Sequence, residues 1–327
     1  LTLLAKYFLT SCVAHYNFAF LIFHFPFKKS CVILEISPKG RFSMAEKRLE
    51  SRVHTNRYFL VGLARAFAGA ILFSFPLIMT MEMWSLGFTV ERARLALFMS
   101  LAVPLLVGLS YFIGFEDTSR FIDDLIDAFV AYAVGFTTSA VMLFFLNILG
   151  FEMSADEVVG KISIQAVVAA IGAMLAQSEL GANKKEREKE DRKKRNASYR
   201  GEIFLMMVGA IFLAMNPAPT EEIVLLGYKM TDWQIIALAF ISMIMMHAFV
   251  YNVEFRGQEK RRPENSSFWS VFLRYTMVGY ALVLLIGVYL LWTFGKTDGL
   301  DPEEILKITV VMGFPGALGA AASRLIL

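Results

Sequence analysis

The sequence predicts an all-α integral membrane protein with about eight transmembrane helices, built as two parallel four-helix repeats. Three observations predict it. The 327 residues are 57% hydrophobic, with 30 Phe and 17 Met, whereas soluble domains are about 45–50% apolar. The apolar residues also fall in long blocks between short polar stretches, and a helix needs about 20 of them to cross a hydrocarbon core of ~30 Å. Open strands or loops would leave backbone groups unpaired there, so the blocks read as helices. Finally, short motifs recur at a nearly constant spacing along the chain.

Residues 1–43 read apart from the rest. The chain opens on Leu1, and Met44 is the first methionine, beginning the hydrophilic run Met44-Ala45-Glu46-Lys47-Arg48. Lys39-Gly40 must be encoded AAR-GGN, which resembles a purine-rich ribosome-binding site. For a bacterial source, residues 1–43 are therefore expected to be an over-extended N-terminus outside the fold. The rival reading is a signal or ninth helix across Leu1–Phe27. That stretch carries Lys6, His15 and His24 and lacks a small-residue cleavage site. Both cysteines, Cys12 and Cys31, lie in this segment, which excludes disulfides and thiolate metal sites from the remainder.

Residues 44–180 form the first predicted repeat, with spans near 58–81, 93–115, 121–149 and 157–178. The first span holds Arg65 and Pro76, and the second holds Pro104. The third holds Asp123 and Asp127, whose i,i+4 spacing gives them a common face. That face continues through Ala131 and Thr138, with Gly135 beside it. Residues 181–200 form a charged cytoplasmic linker. Residues 201–327 form the second repeat, with spans near 202–217, 232–253, 268–294 and 304–325. Its first span is short, because Asn216-Pro217-Ala218-Pro219 stops it, and it reads as tilted, thinned or half-inserted. The last span is rich in small residues. Gly316 with Ala320, and Gly319 with Ser323, have the spacing that lets helices approach closely, while Pro315 removes a backbone hydrogen bond. Pro76, Pro104, Pro315, Gly316 and Gly319 thus mark close packing or kinks. The alternative is a broken helix lining a substrate site.

Lys and Arg in the short loops set the orientation. One side carries Lys47, Arg48, Arg52, Arg57, Arg120, the basic run from Lys184 to Arg200, Arg256, Lys260, Arg261, Arg262 and Arg324. The other carries only Arg92, Arg94, Lys161, Lys229 and Lys296. The N-terminus and C-terminus are both expected in the cytoplasm, and an even number of spans agrees with that.

The repeat is visible as Gly69-Ala70-Ile71 recurring as Gly209-Ala210-Ile211. In the same register Glu82 meets Glu222 and Gly87-Phe88 meets Gly227-Tyr228. Later, Phe121 meets Phe268, and Glu157 with Lys161-Ile162 meets Glu303 with Lys307-Ile308. Four spans per unit keep both copies in the same orientation, so the halves should be related by a pseudo-two-fold axis along the membrane normal.

Ionisable residues inside spans are costly and default to functional candidates. Arg65, Asp127, Arg274 and His247 each lie six or seven residues from the inner end of a span, about 10 Å at 1.5 Å per residue. All four are expected at one level under the inner leaflet. One reading is an ion pair of Asp127 with Arg274 or Arg65 that fixes packing, and another is arginines snorkelling to headgroups. The functional reading is a cytoplasm-facing ion or proton site at Asp127, with Asp123, Arg65, Arg274, Thr138 and the titratable His247 around it. In the linker, Lys184, Lys185, Arg192, Lys193, Lys194 and Arg195 suit anionic lipid headgroups as well as a plain solvated tether. Nucleic acid is not implied, since acidic residues interleave and no aromatic stacking pattern appears. Glu82, Glu222, Asp232, Asp301, Glu303 and Glu304 form an acidic outer rim, most simply a solvated loop face.

A phosphate-binding loop, metal-ligand spacing and a serine nucleophile elbow are all missing from the sequence. No cofactor or metal is expected, and the chain does not read as an enzyme. The segments Arg65-Ala66-Phe67-Ala68-Gly69-Ala70-Ile71-Leu72-Phe73-Ser74-Phe75-Pro76 and Gly313-Phe314-Pro315-Gly316-Ala317-Leu318-Gly319 resemble those of an uncharacterised family of bacterial integral membrane proteins, over residues 44–327. The resemblance implies a multi-pass protein of the bacterial inner (plasma) membrane and transfers no site residue. The function expected is a secondary transporter or ion pathway with an inner-leaflet polar cluster. The alternative is a non-catalytic scaffold that binds a partner protein or anionic lipid. A lipid-modifying enzyme is a weaker third. The bilayer is the one partner the sequence requires, and a homo-oligomer stays open.

Overall fold

The computed structural model describes residues 60–113, 121–181, 199–216, 220–251 and 272–326. The segment 1–43 and the linker residues Lys184, Lys185, Arg192, Lys193, Lys194 and Arg195 lie outside the described residues.

The described residues form helices joined by turns, with no strand among them. Helix α1 runs Leu60–Ile78. Its last turn holds Pro76, and Thr80 N–H closes the end on the Leu77 carbonyl. A short helix α2, Met81–Thr89, starts from extended Thr80 and stops at extended Val90. Three long helices follow: α3 Arg92–Ile113, α4 Phe121–Phe145 and α5 Ala155–Gly181. The same order then returns. Helix α6 is Tyr199–Met215. The short α7, Glu221–Lys229, again lies between extended residues, Thr220 and Met230. Helix α8 is Asp232–Tyr251. A π-helical turn, Phe272–Met277, leads into α9, Val278–Thr293. Helix α10 is Pro302–Ile326 and runs through Pro315 without ending, as α3 runs through Pro104.

Seven of these helices are long and apolar enough to cross a membrane: α1, α3, α4, α5, α8, α9 with its π turn, and α10. The expected count of eight is not reached on this measure. The shortfall is α6, whose 17 residues span only about 25 Å at 1.5 Å per residue. The helices α2 and α7 occupy stretches that read as loops in the sequence.

Two helices act as centres. Helices α1, α2, α3 and α4 pack against α5, while α6, α7, α8 and α9 pack against α10. The apolar window of α5 is 83% buried, against 17% for α8, so α8 offers most of its surface to lipid. Glycines set the closest approaches. A Cβ on Gly69 would lie 2.6 Å from the Gly172 carbonyl oxygen, and one on Gly209 would meet the Gly319 carbonyl and lie 2.6 Å from Ser323 Cβ. Gly172 lies against Phe73, while Gly316 lies near Ala214. Chain number therefore rises on α1 and α6 as it falls on α5 and α10, so both pairs are antiparallel. The short helices repeat the device. A Cβ on Gly87 would fall 2.6 Å from Lys161 Cα, and one on Gly227 would fall 3.3 Å from Ile308 Cα. Only glycine gives the backbone approach that these contacts use.

The two groups of helices meet through α3 with α6 and α9, and through α5 with α6. Aromatic pairs fill that seam. Phe112 stacks on Phe204 at 6.0 Å, Phe73 meets Phe212 edge-on at 5.5 Å, and Phe98 meets Phe294 edge-on at 5.6 Å.

Candidate functional site

The first turns of α4 carry Asp123, Asp124 and Asp127 in an otherwise apolar helix. One turn of α-helix takes 3.6 residues, so both Asp123 and Asp124 flank the face of Asp127. The neighbour that decides between them is α3. Its Ser110 is 1% exposed, and its hydroxyl lies 3.3 Å from Asp124 Oδ1 and 3.4 Å from Asp127 Oδ2. Asp124 and Asp127 are 7% and 8% exposed. Asp123 is only half-buried. The structure thus brings Asp127 together with Asp124 and Ser110, whereas the i,i+4 spacing joins it to Asp123. Ser110 thus ties both acidic side chains of α4 to α3, away from water.

The other candidates occupy separate places. Arg65 is half-buried on α1. Gly69 contacts Ala176 of α5, and Gly135 of α4 contacts Ala166 and Ala170. Counting down these antiparallel pairs puts Arg65 about one helical turn, roughly 6 Å, beyond Asp127. Arg274 is exposed on the π-helical turn, where its backbone carbonyl accepts a 2.8 Å hydrogen bond from Tyr199. The ion pairs among the described residues join Asp127 to neither Arg65 nor Arg274. His247 Nδ1 lies 3.0 Å from Thr276 Oγ1, and its ring meets Phe272 edge-on at 5.4 Å. Thr138 is buried on α4, well above the acidic pair. Gly316 and Gly319 press α10 against α9 and α6. Among the described residues, no group of His, Cys, Asp and Glu is arranged to hold a metal ion.

At the opposite ends of these helices, charges pair off. Lys161, side chain 7% exposed, reaches Glu157 at 2.7 Å, and Lys307 reaches Glu303 and Asp232 at 2.8 Å each. Lys296 pairs with Glu221, and Arg92 with Asp156. Arg94 binds Asp298 at 2.9 Å, donates to the Trp292 carbonyl at 2.9 Å and stacks over the Trp292 ring. Asp232 and Glu303 of the expected acidic rim are therefore lysine partners. Glu222 also belongs to that rim, and a hydrogen bond from Thr220 holds its carboxyl below the usual carboxylate range.

Residues 62–327, which take in all ten helices but the first two residues of α1, match the family described as "Putative integral membrane protein (DUF2391)". The chain belongs to that family. It is an integral membrane protein by this membership, consistent with its seven membrane-length helices. No curated protein and no solved structure matches it. Within this family member, the sequence signal for Asp127 is its charge inside an apolar span. Asp124 carries the same signal, but i,i+4 spacing points to Asp123 as the partner. Ser110 and Thr276 carry no charge and give no signal.

Proposed function

We propose that this family member is a secondary transporter or ion pathway of the bacterial inner membrane, with Asp124, Asp127 and Ser110 as its inner polar site. One observation carries the reading: two carboxylates of a single membrane helix, both buried, share a hydroxyl of the neighbouring helix. Such groups are expensive in a bilayer and are concentrated on ion and proton pathways. Arg65, about one turn from that depth, and the His247–Thr276 pair of the second half are further polar groups along the pathway in this reading. No catalytic role is assigned to these residues.

In the same reading the protein has eight spans, with α6 a short crossing enclosed by its neighbours, and both termini in the cytoplasm. The halves are two repeats about an axis along the membrane normal. Several observations support this. The order long, short, long, long, long occurs twice. Gly69 on Gly172 has its counterpart in Gly209 on Gly319. The i,i+4 pairs Glu157–Lys161 and Glu303–Lys307 sit at matching places in α5 and α10.

The test is flux in proteoliposomes over protons and a small panel of cations and anions, comparing wild type with Asp127→Asn and Asp124→Asn. Flux that disappears in Asp127→Asn while the thermal midpoint holds is the expected result. Silence across the panel, with Asp127→Asn merely melting earlier, would reassign the cluster to packing and favour a scaffold.

A further inference from the structure

Helices α1, α4 and α5 meet along stripes of i,i+4 spacing. On α1 the stripe is Ala66, Ala70, Ser74, Ile78. On α4 it is Val134, Thr138, Met142. On α5, read against the chain, it is Ala173, Ala169, Gln165 and then the buried Lys161, with Ile162 beside it. The lower rungs, Ala66, Ala70, Val134, Ala169 and Ala173, form one apolar cluster. The upper rungs, Ile78, Met142 and Ile162, belong to a second, with Leu143 and Ile148. Between the two clusters Thr138 of α4 and Gln165 of α5 come level, one turn beyond the contact of Gly135 with Ala166 and Ala170, with Ser139 next to Thr138.

These side chains are shut off from bulk solvent and incompletely bonded within the protein. Ser74, Ser139 and Gln165 are 0% exposed and Thr138 is 3% exposed. The Ser74 hydroxyl donates to the Ala70 carbonyl. The hydroxyls of Thr138 and Ser139 and both amide atoms of Gln165 find no protein partner. A buried polar group left this way costs about 1–3 kcal/mol, and proteins ordinarily satisfy such groups with internal water. Packing does not require the polarity. At the registers set by the glycine contacts of α1 with α5 and of α6 with α10, Gln165 corresponds to Met312, which is apolar and buried.

Gln165 also selects the guest. Its Oε1 seeks a donor and its Nε2 seeks an acceptor. A bare cation would suit the first and be repelled by the second, whereas water serves both. We propose that Thr138, Ser139 and Gln165 hold water as a station within the membrane, and that the ion carried is the proton. This rests on the pathway reading above and names its substrate. Thr138 lies eleven residues along α4 from Asp127, about 16 Å at 1.5 Å per residue, and so in the outer half of a ~30 Å core. A proton entering the bonded waters on one side is matched by one leaving on the other. The three side chains neither gain nor lose a proton. Apolar residues lie below the station, while above it the buried Lys161, held by Glu157, stands one turn from Gln165 beside the second apolar cluster.

The test uses the full chain in proteoliposomes with an enclosed pH dye and an imposed proton gradient, with sodium and potassium flux measured in parallel. The variants are Gln165→Met, which installs the residue found at the matching place in α10, Thr138→Val and Thr138→Ser. Proton flux is expected to fall at least about tenfold in Gln165→Met and Thr138→Val, as bridging waters are displaced. Thr138→Ser keeps the hydroxyl and should keep the flux, and Gln165→Met should melt no earlier than wild type. Wild-type proton flux in both Gln165→Met and Thr138→Val, with Asp127→Asn still silent, overturns the station and leaves the pathway standing. Asp127-dependent flux of sodium or potassium without protons does the same. No flux of any ion overturns both.

Discussion

At the scale of single residues, the most constrained positions are glycines. A Cβ on Gly172 would lie 2.7 Å from Phe73 Cβ and 2.9 Å from the Gly69 carbonyl oxygen, both too close for real atoms. Gly172→Ala should therefore push α1 from α5 and destabilise the fold by about 1–3 kcal/mol, the usual effect of overpacking. A Cβ on Gly150 would have no atom within 4 Å, so Gly150→Ala should leave the thermal midpoint in detergent unchanged. Equal melting of the two variants would remove the packing argument. Lys161 gives a second case. It is almost fully buried and held by Glu157, so Glu157→Gln strands a charge. The expected loss is roughly 1–3 kcal/mol, read as an earlier melt that Glu157→Asp only partly restores.

At the scale of elements, hydropathy marks the long helices, because length and apolar content are all that a span requires. It does not mark α2 and α7. Nine residues with Glu82 or with Glu221, Glu222 and Lys229 among them look like loop until a partner helix is present to cover one face. The site divides in the same way. Asp127 is legible as a charge in a bad solvent, and His247 likewise. Which neighbour reaches Asp127 depends on the placement of α3, and the sequence contains no measure of that. Gln165 escapes notice for a related reason: one uncharged amide is ordinary until the helices around it offer it no partner. The turn between α9 and α10 also acquires its role through another element. Arg94 of α3 ties it down through Asp298 and the Trp292 carbonyl. Arg94→Ala should lower the thermal midpoint by a few degrees, and Asp298→Ala should add little on top of it. Additive losses would mean that the two side chains act separately.

At the scale of the whole molecule, the proposed eight-span reading has a direct check. Reporter fusions read the side of the membrane reached by a given residue. A fluorescent protein fused after Leu327 should mature in the cytoplasm, and alkaline phosphatase inserted at Thr297, between α9 and α10, should be active outside. A phosphatase placed in the 182–198 linker should be inactive. Active phosphatase in the linker would make α6 a non-crossing helix and break the relation between the halves. The one-sided distribution of Lys and Arg is what predicts this topology, since it needs only loop composition and no knowledge of packing.

The contact of Gly69 with Gly172 joins the first and last membrane helices of the opening half. About a hundred residues separate them in the chain, roughly 5–20 s of translation at about 5–20 residues per second. Throughout that interval the small-residue face of α1 lacks its partner, and only the arrival of α5 supplies the central helix it packs against. Synthesis and assembly are thus locked in step: the opening half becomes a closed unit just as its last helix enters the bilayer, before α6 has been made.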